Sequence, residues 1–219
     1  MVQSMNASAD NALFRTWLSG WAVCRGYQPE DHHSSVSVVR PDRDETEHFV
    51  FEPTTGLLAG LASETRQDPA RVLTVATRRM DELLGEAHRE GLRVTDRRQS
   101  LMRMEMHGQD VEDPLAPEDG ITFERTRQGG CRHVTVLVDG EAAARGSVTV
   151  VDDYAVYDRI ETEERFRRRG LGTFVMRALT AGVLEEDITT GLLMASADGR
   201  ALYEFLGWQY VVDVFVVRG

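Results

Sequence analysis

A basic, glycine-containing hexapeptide is the first feature of this sequence that could do chemistry. It reads Arg-Arg-Arg-Gly-Leu-Gly over residues 167–172 and lies between a strand-like run and a helix-like run. The first backbone amides of a helix have no partner within the helix and carry partial positive charge, which suits a phosphate group. Glycines let such a backbone approach an anion closely, and arginines add bidentate charge. On its own, however, the hexapeptide is more typical of a solvated basic loop.

A second segment, residues 191–208, decides between these interpretations. It reads Gly-Leu-Leu-Met-Ala-Ser-Ala-Asp-Gly-Arg-Ala-Leu-Tyr-Glu-Phe-Leu-Gly-Trp. This pattern predicts a buried strand over Gly191–Ser196, a turn of small residues and a short helix over Asp198–Leu206 that Gly207 ends. We expect three apolar residues of that helix to point inward: Leu202, Phe205 and Leu206.

Together the two segments resemble the GNAT acetyltransferase superfamily. The hexapeptide matches that family's Arg/Gln-x-x-Gly-x-Gly/Ala pyrophosphate motif through Arg167, Gly170 and Gly172. The second segment matches the strand–helix motif that typically ends in Leu-Tyr-x-x-Leu-Gly-Phe/Trp. The resemblance covers about 100 residues, 119–219. One departure is Glu164, where the family often has a proline, and we expect it to alter the entry of the loop but to leave the phosphate cradle.

The resemblance implies acetyl-CoA as co-substrate, bound where two parallel strands separate, one ending near Thr162 and the other spanning Gly191–Ser196. It implies backbone bonds from the first strand to the pantetheine arm and the acetyl carbonyl, and amide contacts from the loop to the pyrophosphate. The expected cofactor contacts are Ile160, Glu161, Thr162, Arg167, Arg168, Arg169, Gly170, Leu171, Gly172, Thr173, Ser196 and Tyr203.

Acyl transfer to an amine needs a base for the ammonium and an acid for the departing thiolate. Tyr203 matches the tyrosine often assigned as general acid. A phenol with a pKa near 10 protonates a thiolate of pKa about 8.5 only modestly well, so packing or hydrogen bonding without proton transfer is an equal alternative. For the base, Asp158 and Glu161 are candidates, and a water chain is another. Strand alternation puts these two on opposite faces unless a bulge intervenes, with Asp158 on the face of Ile160 and Thr162.

Other chemistries are disfavoured by the residues present. All 25 basic residues are arginine, which excludes a Schiff-base lysine and a Walker loop. Ser196 lacks a His–Asp pairing, so no covalent enzyme intermediate is expected. No metal site is expected either, because nothing near Glu161, Glu163 and Glu164 completes a coordination shell.

The order of the helices and strands that must position these residues predicts an α/β (α+β) fold. We expect a mixed, mostly antiparallel sheet flanked by helices. After Gly120 we expect four strands, a helix, a strand, a short helix and a last strand, with a hairpin turn at Asp139-Gly140. Their predicted bounds are 121–125, 133–138, 142–151, 154–162, 170–184, 191–196, 198–206 and 209–217.

The first half has its own pattern. A helix is expected from Ser8, as N-cap, to Arg25, with strands at 35–39, 48–51, 71–76 and 100–106 and a helix at 78–90. The family usually places two helices between its first two strands, but only seven residues follow Arg125 before His133. We therefore expect residues 1–112, interpreted as a degenerate, partial GNAT-like unit, to wall the acceptor pocket. The acidic, proline-containing residues 113–118 are the expected linker, and 119–219 the catalytic core.

The composition and charge of the chain disfavour some classes of binding partner. With 36 acidic residues and a net charge of −11, nucleic acid is a poor partner and a cationic acceptor a slightly better one. No run is apolar enough to span a membrane, and a cytoplasmic protein is expected. Cys24 and Cys131 lack metal or redox spacing and are expected to be free thiols in a reducing compartment. The first hypothesis is an N-acetyltransferase acting on a small amine in a ternary complex. The alternative is a catalytically idle acyl-CoA-binding or regulatory module, and a homodimer is left open.

Overall fold

The computed structural model describes residues 2–107, 114–115 and 119–219. These residues form five α-helices and eleven strands. They are α1 (Val2–Arg25), β1 (Pro29–Asp31), β2 (Val36–Arg40), β3 (Glu45–Phe51), α2 (Thr55–Gln67), β4 (Arg71–Thr77), α3 (Met80–Arg89), β5 (Arg93–Glu105), β6 (Ile121–Gln128), β7 (Cys131–Val138), β8 (Glu141–Val151), β9 (Tyr154–Thr162), α4 (Leu171–Ala181), β10 (Thr190–Ser196), α5 (Ala197–Phe205) and β11 (Gln209–Arg218).

The predicted fold class is confirmed, because most described strand pairs are antiparallel and helices flank the strands. Two elements were missed, the short strand β1 and helix α2. Helix α2 contains Gly56 and Gly60, which lower helix propensity and hid it from the pattern. Helix α1 begins six residues before the expected cap at Ser8. Most of the expected linker 113–118 lies outside the described residues, so it stays a prediction.

The chain divides into two compact units whose boundaries do not follow that linker. The first unit contains Met1–Arg15, Tyr27–Arg103 and Met194–Gly219, and the second contains Thr16–Gly26 and Met104–Leu193. The chain therefore passes from the second unit to the first within β10, and the last helix and strand belong with the first half of the sequence.

In the first unit the strands lie in the order β1-β2-β3-β4-β11-β5. Strands β3 and β4 are parallel and are joined by α2, whereas β11 is antiparallel to both of its neighbours. The apolar side of α2 and α3 packs on β3, β4 and β11 in a core that includes Leu58, Leu73, Leu83 and Phe215, all 0% exposed. In these strands every second residue faces the core. The sequence indicates the strands only by short apolar runs.

In the second unit the order is β10-β9-β8-β7-β6, and β9 is parallel to β10. Helix α4 connects these two strands and packs on one face of the sheet, where Val175 and Leu179 lie over Gly146. The predicted hairpin between β7 and β8 is confirmed. Asp139 and Gly140 both have positive φ, 50° and 82°, as a two-residue turn of the primed type requires.

The same succession of elements occurs twice along the chain. Strand–helix–strand–helix–strand describes β3-α2-β4-α3-β5 and again β9-α4-β10-α5-β11. In each case the first two strands are parallel and the first helix crosses between them. The second occurrence carries the motifs found in the sequence, and the first carries none.

The second half of α1 covers the face of the second unit opposite α4. At Gly20 the helix lies so close to β9 that a Cβ there would be 2.5 Å from Cβ of Val156. Four residues later Cys24 is bonded to Cys131 at the start of β7, with the Cα atoms 5.0 Å apart. The expectation of free thiols was therefore wrong. The two cysteines are 107 residues apart in sequence, so only the packing of α1 on the sheet brings them together.

We predict that replacing both cysteines with serine lowers the free energy of unfolding by about 2–4 kcal/mol, because the disulfide restricts a long loop of the unfolded chain. Urea unfolding of the oxidised protein and of the double variant measures this difference. Adding a reducing agent should bring the unreplaced protein to the midpoint of the variant and leave the variant unchanged. Equal midpoints for both oxidised proteins would contradict the prediction.

Candidate functional site

Strand β9 contains an inserted residue just before the positions that the sequence assigns to the acyl-CoA. Ser147 of β8 pairs with Asp158, but two residues earlier on β8 Arg145 pairs with Glu161, so β9 has one residue too many between the two pairs. Arg159 adopts the left-handed conformation there, with φ 54°. Both observations are those of a β-bulge.

The bulge changes which side chains share a face. Ile160 lies over Gly146 on the face of α4, and Thr162 lies on that face too, with its Oγ1 3.6 Å from where a Cβ on Gly172 would be. Asp158 lies on the opposite face, where it meets α1. The expectation that Asp158 shares the face of Ile160 and Thr162 was therefore wrong. Alternation resumes after the bulge, so Glu161 lies on the same face as Asp158.

The end of β9 has a free backbone edge. Its pairing with β10 runs from Tyr154↔Thr190 to Tyr157↔Leu193, whereas its pairing with β8 continues to Thr162. In the described register the backbone groups from Asp158 onward thus lack a strand partner on the β10 side. Unpaired groups of this kind are ready to bond an extended amide-containing ligand.

The N-terminus of α4 is a second set of free groups. Gly170 is its N-cap, in the left-handed conformation at φ 76°, and no side chain caps the helix. Phe174 donates the first helical hydrogen bond to Gly170 O, which leaves the amides of Leu171, Gly172 and Thr173 outside the helical ladder. A Cβ on Gly172 would find only Thr162 within 4 Å, so the absence of a side chain keeps space open above these amides.

The loop before α4 brings arginines to this helix end. Arg168 adopts a positive φ of 67°, two residues before Gly170, and such a conformation turns successive N–H groups into a concave surface for anions. Arg167 and Arg168 are exposed, and Arg167 Nε donates to Thr162 O across 3.3 Å. The sequence-predicted loop residues and the end of β9 are thus brought together in the second unit.

The two carboxylates proposed as bases have different surroundings. Asp158 accepts two hydrogen bonds from Arg25, at 2.8 and 2.9 Å, and only 12% of its side chain is exposed. Glu161 pairs with Arg145 at 2.6 Å, and its side chain is 53% exposed. Both oxygens of Asp158 are therefore engaged away from water, whereas Glu161 is open to it. Neither Arg25 nor its partner role was expected from the sequence.

Tyr203 lies in the first unit, on the buried side of α5. Its ring packs edge-on against Trp208 at 5.9 Å between centroids, and burial raises the pKa of its phenol to about 12. The rest of the helix differs from the expectation, because Leu202 and Phe205 are 45% and 85% exposed. The prediction that they point inward was wrong. Ser196 is the N-cap of α5, where its hydroxyl accepts from Gly199 N.

The described residues contain neither a cluster of metal ligands nor a membrane-spanning helix. Within them, no three His, Cys, Asp or Glu side chains come close enough to hold a metal ion. Among the described helices, none combines the length and the apolar character needed to cross a membrane.

Parts of the chain are similar in sequence to known proteins. Residues 142–216, from β8 to β11, match the model of the family described as FR47-like protein. The uncharacterized protein YyaT of Bacillus subtilis (strain 168) is 24% identical over 108 residues, which are 49% of this chain and 73% of the relative.

Solved structures extend the likeness to nearly the whole chain. A GCN5-related N-acetyltransferase from Kribbella flavida has a TM-score of 0.63 at 15% identity, over 97% of this chain and 94% of that one. Another, from Sphaerobacter thermophilus, has a TM-score of 0.58 at 13% identity, over 85% and 76%. A tandem GNAT protein from the clavulanic acid biosynthesis pathway has a TM-score of 0.59 at 14% identity, over 84% and 78%. The fold that the GNAT resemblance implies is confirmed.

In the first strand–helix succession, β3-α2-β4, side chains of the protein itself occupy the helix N-terminus and the strand ends, unlike in the second, β9-α4-β10. Helix α2 is capped by Thr54, whose hydroxyl accepts from Leu57 N. Glu52, which precedes it with φ 44°, accepts hydrogen bonds at the end of β4. Its donors are Thr77 Oγ1 at 2.9 Å, Arg79 Nε at 3.1 Å and Arg78 N. A carboxylate of the chain itself therefore bridges the ends of β3 and β4.

We predict that Glu52→Gln lowers the free energy of unfolding by about 1–3 kcal/mol, because hydrogen bonds to a charged group are among the stronger ones. Urea unfolding measures the effect. Glu82→Gln is the matched control, since Glu82 also pairs with Arg79 but is 53% exposed, and it should cost less than about 0.5 kcal/mol. Equal losses for the two variants would show that Glu52 acts only as a surface charge.

Proposed function

Because this chain has the fold of the GCN5-related N-acetyltransferases, we propose that it is an acyltransferase that carries an acetyl group from acetyl-CoA to the amine of a small molecule. The observation that carries the proposal is the uncapped N-terminus of α4, next to the free edge of β9. Few folds offer a phosphate cradle and an unpaired strand end together, and a CoA ester needs both, one for its pyrophosphate and one for its pantetheine amides.

We propose that the second unit holds this ligand mainly through backbone groups. Amides of Leu171, Gly172 and Thr173 would hold the pyrophosphate, with Arg167 and Arg168 adding charge. Backbone groups of Ile160 to Thr162 would bond the pantetheine arm and orient the acyl carbonyl. When bound, acetyl-CoA supplies an activated thioester, and the protein's task is to position it and to manage protons.

For the base we propose Glu161, acting directly or through water, rather than Asp158. The acceptor amine must lose a proton before it attacks the thioester carbon. Asp158 is committed to Arg25 through both oxygens, and taking a proton would break a bidentate bond that is shielded from water. Glu161 lies on the same face of the sheet, beyond the bulge, and its exposed pair with Arg145 breaks at little cost.

For Tyr203 we propose a hydrogen bond to the departing sulfur without full proton transfer. Burial raises the pKa of its phenol to about 12, far above the ordinary pKa of a thiol, about 8.5. Transfer of its proton to the thiolate would therefore be uphill, whereas donation of a hydrogen bond is not. The released thiolate takes its proton from solvent or from the acceptor.

The first half is proposed to be a degenerate partial copy that supports the second without binding acyl-CoA. Its equivalent helix end is capped by Thr54 and its strand ends are bridged by Glu52. The second half of α1 covers the face of the sheet that holds Asp158 and Glu161. This helix thus takes the place of the two family helices for which β6 and β7 leave no room.

A screen of amines, amino acids and aminoglycosides, with detection of released CoA thiol, tests the function. Turnover of at least one acceptor supports the enzyme. The rival, an idle acyl-CoA-binding module, is favoured only if calorimetry shows one acetyl-CoA bound per chain and no acceptor is turned over. Absence of acetyl-CoA binding would overturn both.

We predict that Gly172→Val weakens acetyl-CoA binding by about 10- to 100-fold, the cost of losing one hydrogen bond to a charged group worth roughly 1.5–3 kcal/mol. The branched side chain would occupy the space above the amides of α4. Calorimetry measures the affinity, and thermal unfolding checks the fold. Gly60→Val is the matched control, because Gly60 lies in α2 with no atom within 4 Å of an added Cβ. Equal affinities of both variants for acetyl-CoA would contradict the proposal that the N-terminus of α4 binds the pyrophosphate.

We predict that Tyr203→Phe lowers kcat by about 10-fold and leaves the KM for acetyl-CoA unchanged, because the ring and its packing survive. The shape of the pH profile should also persist up to about pH 10, since the phenol stays protonated throughout that range. Tyr210→Phe is the control, a phenol whose pKa is also raised to about 12 by burial. Loss of an alkaline limb in Tyr203→Phe alone would instead identify Tyr203 as the proton donor.

We predict that Glu161→Gln lowers kcat by about 10²-fold, the lower end of general-base contributions, and that the loss shrinks as pH rises and free amine accumulates. Initial rates at saturating acetyl-CoA across a pH series measure this. Glu141→Gln is the control, because Glu141 forms an equally exposed ion pair with Arg165. An unchanged kcat in Glu161→Gln across the pH series would contradict the prediction and favour a water chain as the base.

A further inference from the structure

Arg25, in the last turn of α1, makes a directed contact with the strand that carries the proposed acyl-CoA site. Its Nε donates to Asp158 Oδ2 across 2.8 Å and its Nη2 to Oδ1 across 2.9 Å. This is the bidentate arrangement that fixes both distance and orientation. The two side chains are 18% and 12% exposed, so solvent and salt screen the pair weakly.

The helix end that carries Arg25 is itself held on several sides. Cys24 is bonded to Cys131 of β7, and Gly20 lies against Val156 with no room for a side chain. The guanidinium carbon of Arg25 lies 5.2 Å from the centroid of the Trp21 ring. Arg25 is thus presented to β9 by a backbone that cannot easily withdraw.

The contact falls where β9 needs support. Asp158 directly precedes Arg159, the left-handed residue of the bulge, and from this point β9 has lost its pairing with β10. From there the strand is held by β8, by side-chain packing and by the bond from Arg167 Nε to Thr162 O. A slip of the inserted residue by one position would exchange the faces of Ile160 and Glu161.

We propose that Arg25 is a positioning residue for acyl transfer. By holding Asp158, it fixes the bulge at Arg159 and so orients the backbone of Ile160 to Thr162 toward the thioester. This inference rests on the proposed function. In this proposal Asp158 binds Arg25 and does not act as a base. The disulfide holds the end of α1 that carries Arg25.

Steady-state kinetics and calorimetry of Arg25→Gln test the proposal. We expect the KM and the Kd for acetyl-CoA to rise about 10-fold and kcat to fall, since misplacement of about 1 Å can cost up to 10²-fold in rate. Arg25→Lys, which keeps the charge but not the fork, should recover part of the affinity. Arg15→Gln is the matched control, because it removes an exposed pair with Asp31 from the same helix.

A double-mutant cycle separates positioning from direct action by Asp158. If Arg25 acts through Asp158, then Arg25→Gln and Asp158→Asn should have similar effects, and the double variant should be no worse than either. Hydrogen exchange of the amides of residues 159–162, measured without ligand, should be faster in Arg25→Gln than in Arg15→Gln. This measurement needs only folded protein and no activity.

The outcomes are distinct. Failure of the unmodified protein to bind or turn over acetyl-CoA would overturn the proposed function and this inference with it. Normal turnover in the unmodified protein, with unchanged kinetics and exchange in Arg25→Gln, would overturn the inference alone. A large loss in Asp158→Asn with none in Arg25→Gln would assign Asp158 a direct role instead. If Arg25→Gln does not fold, Arg25→Lys carries the same comparison.

Discussion

The insertion of a single residue into β9 governs what the second unit can present. If Arg159 instead followed regular strand alternation, with no bulge, Ile160 and Thr162 would turn toward α1 and Glu161 toward α4. With the bulge, the apolar Ile160 packs over Gly146 beneath α4, and the two acidic side chains share the other face. A left-handed conformation at a residue with a side chain costs about 1–2 kcal/mol, so the neighbouring structure must oppose its relaxation. Ile160 on one face and Arg25 on the other do so.

That constraint explains why the sequence predicted the loop better than the strand. The hexapeptide at 167–172 and the Asp139-Gly140 turn are local signals, because the conformation each needs is set by its own residue types. A bulge is set by pairing with another strand, and nothing in the residues 158–161 reveals it. The bond between Cys24 and Cys131 was missed for the same reason, since it depends on α1 lying on β7.

Two other differences between the sequence-based predictions and the structure have different causes. Helix α2 was missed because its two glycines lower helix propensity, although Leu58 and Leu61 are buried at helical spacing. The exposure of Leu202 and Phe205 was missed because a short amphipathic run does not say which side of the helix meets the core. Tyr203 occupies the buried side instead.

The two repeated successions show how little separates an anion site from a closed strand junction. Both place a helix N-terminus after the first of two parallel strands. At α2 a hydroxyl of the chain caps the helix and the carboxylate of Glu52 takes up the donors at the end of β4. At α4 the cap is a glycine, which can offer no side-chain acceptor. The amides there are left for an acceptor from outside the chain, and this is why we propose the second succession, rather than the first, as the place for a phosphorylated ligand.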